Sequence, residues 1–129
     1  MNYADFVKTN RMVSVQEDID RAATPGVLEI GTVGMASIIY RKVLQKPCGS
    51  VSGNSLTLFG FPVSTNALLS GETLESRITD GDGIPVVIEI TTGEAPTVLG
   101  DPIPEIIVQN SDVNAGQQAT IQQITWSHG

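Results

Sequence analysis

Between Glu72 and Thr91, two runs of alternating apolar and polar residues flank Asp80-Gly81-Asp82-Gly83. The central four residues are a turn signal, because glycine accepts left-handed dihedrals and aspartate bonds back to nearby amides. Runs of period two bury one face as strands and not as helices. In the first run Leu74, Ser76 and Ile78 point inward, while Thr73, Glu75, Arg77 and Thr79 point outward. In the second, Ile84, Val86, Ile88 and Ile90 share a face. The pattern predicts a hairpin over residues 72–91, and a chain committed to this hairpin is committed to β structure.

The scheme extends to both sides. Pro47 to Phe61 (PCGSVSGNSLTLFGF) reads as a small-residue turn entering a strand at about Asn54–Phe59. Leu56 and Leu58 take one face there, with Ser55, Thr57 and Phe59 on the other. Val27 to Thr32 is a strand with Leu28 and Ile30 inward. Met35 to Gln45 fits a strand on Ala36, Ile38, Tyr40 and Leu44, and a helix face on Met35, Ile38, Ile39, Lys42 and Val43. Its β-branched and aromatic content favours the strand. Phe61-Pro62-Val63 and Ala67-Leu68-Leu69 flank a polar Ser-Thr-Asn turn. Residues 93–104 form an extended, proline-rich loop. Glu105 to Gln109 is apolar on both faces and belongs in an interior. Gln118 to Ser127 closes the chain, with a phase shift between Ile121 and Ile124 that implies a bulge or a strand buried on both sides.

Seven or eight short strands at spacings of about ten residues describe an all-β, antiparallel sandwich or jelly roll. A chain of 129 residues suits one domain. It divides into an N-terminal arm over 1–25 and a β-sandwich body over 26–129. The arm has room for a short helix at Gln16–Ala23, with acids early, Arg21 late and Thr24-Pro25-Gly26 as its stop. Residues 1–15 carry Tyr3, Phe6, Val7, Met12, Val13 and Val15 without a clear period and suit a segment that packs on something.

The charge of −7 is unevenly placed. Residues 1–46 hold six bases and five acids; residues 47–129 hold Arg77 and nine acids. A near-neutral N-terminal part therefore joins an acidic body, which argues against direct nucleic-acid binding. The single cysteine, Cys48, allows no intrachain disulfide. The N-terminus lacks a signal-peptide pattern, no apolar run approaches membrane-spanning length, and a reducing cytosolic origin fits.

Candidate chemistry is sparse. His128, the one histidine, stands at the terminus and reads as a solvated tail residue. Cys48 has no histidine placed to activate it and reads as a turn or core residue. Asp80 and Asp82 supply two carboxylates where calcium needs six or more oxygens, so they read as hairpin-turn residues. Glu72, Glu75 and Glu89 lack the aromatic platforms of a sugar cleft. Gly31–Gly34 and Gly49–Gly53 match no nucleotide fingerprint. Catalytic, cofactor and metal sites are therefore each read as none.

Gly26–Ile30 (GVLEI), the apolar strand ending at Pro47, and Gly49–Gly53 (GSVSG) leading into Leu56-Thr57-Leu58 resemble small β-rich virion structural proteins of tailed bacteriophages. Arg77–Asp80 (RITD) before its glycine turn, Val113–Gln117 (VNAGQ), Ile121 and Ile124–Trp126 (ITW) carry the resemblance on, so that it covers residues 26–127. The short Gly31–Gly34 turn, the 93–104 loop and the arm depart from it. The resemblance implies a non-enzymatic jelly-roll capsid cement or decoration protein. Such a protein bridges major capsid protein subunits, favours a homodimer, touches neither nucleic acid nor membrane, and sits on the virion after synthesis in the host cytoplasm. Contacts are expected from Tyr3, Phe6, Lys8, Arg11 and Met12 of the arm and from Pro96, Pro102 and Pro104 of the loop. The alternatives are a tail or baseplate connector and a carbohydrate-binding β-sandwich using Tyr40, Phe59, Phe61 and Trp126.

Overall fold

The computed structural model describes residues 2–100, 103–122 and 124–127. Over the described residues the chain is mostly β with one α-helix, and its sheet curls as a half-barrel. The helix, α1 (Asp5–Ile19), corrects the expected short helix at Gln16–Ala23: it starts eleven residues earlier and stops at Ile19. Lys8, Met12, Val15 and Ile19 stand at i, i+4, i+7 and i+11 and form one stripe facing the body. Thr9 Oγ1 donates to the Gly53 carbonyl at 2.5 Å and Gln16 Nε2 to the Gly49 carbonyl at 2.8 Å. Residues 5–19 are thus a docked helix with its inner stripe in the core.

The largest sheet has five strands: β1 (Val27–Gly31), β2 (Ile38–Val43), β7 (Glu75–Thr79), β8 (Pro85–Gly93) and β9 (Ile106–Ile107). Their order is β2-β1-β7-β8-β9, antiparallel except for the parallel β8–β9 pair. The strand reading of 35–45 holds over Ile38–Val43, preceded by a 3-10 turn at Val33–Met35. Leu28 and Ile30 face inward, each fully buried. Both Ile39 and Tyr40 are buried; Gly71 runs directly over Ile39, where a Cβ would strike its Cδ1.

The hairpin forms around its expected turn, but its facing differs in both runs. Thr73 and Thr79 are buried and Leu74 is exposed, the reverse of the expectation. The run is really two elements: β6 (Gly71–Glu72) pairs with β10 (Asp112–Val113), and the chain then crosses to β7. At the crossing the Thr73 hydroxyl and amide both bond the Ser111 carbonyl. In the second run, Ile84, just before β8, and Ile88 within it are exposed, while Ile90 is buried. Two register shifts against β7 break the period, and Glu89 takes φ 57° at one of them.

Gly49–Gly53, read as a turn, is instead a strand, β3 (Gly49–Ser52), closed by Gly53 at φ 58° and paired with β4 (Ser55–Leu58). A Cβ at Gly49 would meet the Thr57 carbonyl, so glycine permits this approach. Leu56 and Leu58 share the buried face as expected, and Phe59 is partly exposed. The Ser-Thr-Asn turn is also a strand, β5 (Val63–Asn66), held by β11 (Gln118–Ile121). The phase shift near the end is a break and not a bulge: after β11 the chain crosses to β12 (Thr125–Ser127), which pairs with β4. One cluster joins these pieces, with Ile19, Leu28, Ile30, Ile78, Leu58 and Ile121 among its members. Each such side chain contributes about 1.5–3 kcal/mol by leaving water.

Candidate functional site

Large apolar side chains are exposed at several places, Val33, Val43, Leu68, Leu69, Ile84 and Ile88 among them, and two of the exposed groups include residues expected to make contacts. The first is the start of α1. Phe6 is 70% exposed and Tyr3 42%. The Arg11 guanidinium lies 3.9 Å over the Tyr3 ring, holding both in place. Lys8 and Met12 sit on the opposite side of the helix and are buried against the body. Their side chains serve the helix–body contact, so the surface offered to solvent is Tyr3, Phe6 and Arg11.

The second is the loop between β8 and β9. Its ends are fixed, with Thr92 opposite Ile106 and Gly93 opposite Ile107. Ser111 Oγ donates to Glu94 at 3.1 Å, and the Glu105 amide donates to Thr91 Oγ1 at 3.0 Å. Between these anchors Val98, Leu99 and Ile103 project into solvent around a shallow hollow of about 300 Å³ lined by Pro96, Thr97 and Gly100 as well. Pro96 is exposed and Pro104 half-buried; Pro102 lies outside the described residues. The three aliphatic residues were missed as contact candidates. The signal was present: each stands within two residues of a glycine or proline, too interrupted to join a strand.

The polar candidates serve the fold. Asp80 is buried, and its Oδ1 accepts from the Asp82 amide at 2.9 Å and the Ile84 amide at 3.0 Å. Its Oδ2 accepts from Arg21 Nε at 2.6 Å. Burial alone would raise its pKa; the Ile84 amide, the Arg21 guanidinium and the Asp82 amide together outweigh burial and hold it below its ordinary value. Asp80 therefore ties the hairpin turn to the segment after α1. Cys48 is a free, buried thiol, as the core reading anticipated. Burial, with the Asp20 carboxylate nearby, pushes its pKa up to about 12, which leaves it un-ionised and unreactive. Glu29 bridges Arg77 at 2.8 Å and Arg41 at 3.9 Å across the outer face of β2-β1-β7. The Tyr40 hydroxyl is buried without a partner among the described residues, and burial raises its pKa.

A second hollow, of about 340 Å³, lies at the β6–β10 pair, where Glu72 and Asp112 stand directly opposite. Among the described residues no group of three histidines, cysteines or carboxylates converges. No described helix is long and apolar enough to cross a membrane. His128 lies outside the described residues, and of Trp126 only the backbone pairing with Leu56 is described.

Comparison with protein-family models, with curated proteins and with solved structures gives no match.

Proposed function

We propose that this chain is a non-enzymatic phage virion protein of the cement or decoration type, bridging major capsid protein subunits on the head surface. The body is taken as a jelly roll: side chains of the five-stranded sheet, such as Leu28 and Ile78, and of the β3-β4-β12 sheet, such as Leu58, pack into one cluster, as two facing layers do. The protein is made in the host cytoplasm, where its acidic surface keeps it soluble before assembly. It pairs with a second copy on the shell.

One observation carries the reading. Two separately anchored surfaces, Tyr3 with Phe6 on α1 and Val98 with Leu99 and Ile103 on the loop, expose large apolar side chains on an otherwise acidic chain. Such patches on a soluble protein mark contact surfaces, and a bridging protein needs two. Modest contacts suffice when repeated over a shell.

The test is copy number. Purified particles should contain the chain in numbers that follow the icosahedral shell, in the hundreds; about a dozen copies, the count of a ring-shaped tail component, would replace the cement reading with the connector reading.

A further inference from the structure

We propose that copies of this chain meet head to tail: the exposed start of α1, with Tyr3, Phe6 and Arg11, docks in the hollow at the β6–β10 pair of a second copy. The proposal deepens the virion reading by naming the surfaces through which copies join, and rests on it only for where they join.

The hollow lacks what the helix carries. In its wall Glu72 and Asp112 are exposed and stand directly opposite each other in the ladder, a like-charge arrangement that repels. Neither meets a lysine or arginine among the described residues, and residues 66–75 and 109–116 contain no base at all. Leu68 and Leu69, 57% and 48% exposed, lead into it. Its walls are set before anything docks: the Ala115 amide donates to Ser70 Oγ at 2.8 Å and the Gly116 amide to the Ala67 carbonyl at 2.7 Å. At about 340 Å³ it takes a few side chains of a partner. A cation with apolar neighbours satisfies both the carboxylates and the leucines.

The chain itself supplies one. Of its seven bases, Arg21 is on Asp80, Arg41 and Arg77 are on Glu29, and Lys46 donates to the Ala22 carbonyl. Lys8 is buried against the body and Lys42 is half-buried in β2. Arg11 is exposed and lies over the exposed Tyr3 ring, in the surface that Phe6 shares. Stacking engages the face of a guanidinium, whereas carboxylates are bound at its edge. Residues 1–15 hold Lys8 and Arg11 against Asp5, so this end of an acidic chain is cationic. Charge therefore matches one copy's α1 to another's hollow and opposes hollow on hollow.

The two surfaces are also set apart. Thr9 fixes the start of α1 to Gly53, at the β3–β4 turn. The two strands that leave that turn meet again where the Leu68 amide donates to the Ile39 carbonyl, and the hollow opens just past this point, at Ser70. Head and tail thus lie at opposite ends of one folded-back segment. A contact of this kind is heterologous, and on a symmetric shell it closes as a ring or runs on.

The test replaces Phe6 with a benzophenone photo-crosslinking residue and irradiates concentrated purified protein at low salt. The expected cross-link falls on Leu68–Glu72 or Asp112–Asn114 of a second copy. Arg11→Glu alone, or Glu72→Arg with Asp112→Arg, should weaken self-association in sedimentation about tenfold or more while the unfolding midpoint stays unchanged. Mixing these two variants should restore association, because the reversed head meets the reversed tail. A wild-type chain that stays monomeric, a mixture that stays dissociated, or a cross-link from Phe6 to the second copy's α1 overturns the proposal. On purified phage particles the same residue should again join copy to copy. A cross-link to a capsid polypeptide instead overturns the proposal and leaves the virion reading standing. Copies that join in solution, with the chain absent from particles, uphold the contact and overturn the virion reading.

Discussion

The hairpin corner at Asp80 and the loop at Leu99 both connect strands of the same sheet, and they invert each other's chemistry. The corner buries a carboxylate to 1% exposure; the loop leaves a leucine entirely in solvent. The corner is consistent because every lone-pair direction that matters is answered from within the chain: two amides and a guanidinium meet Asp80. The loop is held at its ends, yet nothing among the described residues covers Leu99. A buried polar group that is fully partnered has its reason inside the molecule. A preorganised apolar tip that is not covered has its reason outside it.

The same truncation at both regions gives the sharpest contrast. Leu28→Ala, in the core behind the corner, should cost about 2–5 kcal/mol of unfolding free energy, whereas Leu99→Ala should stay within about 0.5 kcal/mol. Urea titration measures both, and similar losses would break the distinction.

At the corner itself, Asp80→Asn should lower the urea midpoint at neutral pH. The folded pKa of Asp80 lies below its unfolded value of about 3.9. Its contribution is therefore present above that value and is lost as pH falls through the folded pKa. The gap between wild type and variant should close in acid; a gap that persists unchanged would assign Asp80 a purely steric role.

Cys48 carries the opposite sign. Its folded pKa of about 12 lies above the unfolded one, so stability holds below about pH 8.5 and falls as pH rises toward 12. Cys48→Ala should reduce that alkaline loss, leaving the part that belongs to Tyr40, whose pKa is also raised. Native protein should resist thiol reagents at neutral pH. Rapid labelling would show that the site opens.

The smallest effect sharpens what partnering means. Tyr40 is buried like Asp80, but its hydroxyl has no partner among the described residues. Tyr40→Phe should therefore be neutral or stabilise by up to about 1 kcal/mol, since it removes an unsatisfied donor and keeps the ring. A clear loss on thermal unfolding would reveal a bond to the hydroxyl.

Much of this was legible along the chain. The Asp80–Gly83 turn, β1 and the Leu56/Leu58 face follow from period two and turn chemistry, and β2 from its β-branched and aromatic content, since its period fitted a helix as well. The misplaced parts share one physical cause, which is that tertiary pairing overrides local signals. Gly49–Ser52 and Ser64–Asn66 look like turns because their residues are small and polar, yet they complete ladders with β4 and β11. The register shifts near Glu89 turn Ile88 outward, and nothing in the alternation of β8 announces them. The helix had a readable stripe at Met12, Val15 and Ile19, but it was obscured because a lysine stem occupies the next position and aromatic residues lie off the stripe. Of the contact candidates, Tyr3, Phe6, Arg11 and Pro96 are exposed, while Lys8 and Met12 are buried within the fold. Burial of a helix side cannot be read until the helix itself is placed.

Amide hydrogen exchange, compared between the free protein and the chain on intact particles, tests the inversion most directly. The account predicts new protection at the amides of Thr97, Val98, Leu99 and Gly100, with the amides of Asp82 and Ile84 protected equally in both states because Asp80 already holds them. Loop amides that exchange as fast on the particle as in solution, with protection appearing elsewhere or nowhere, would contradict it.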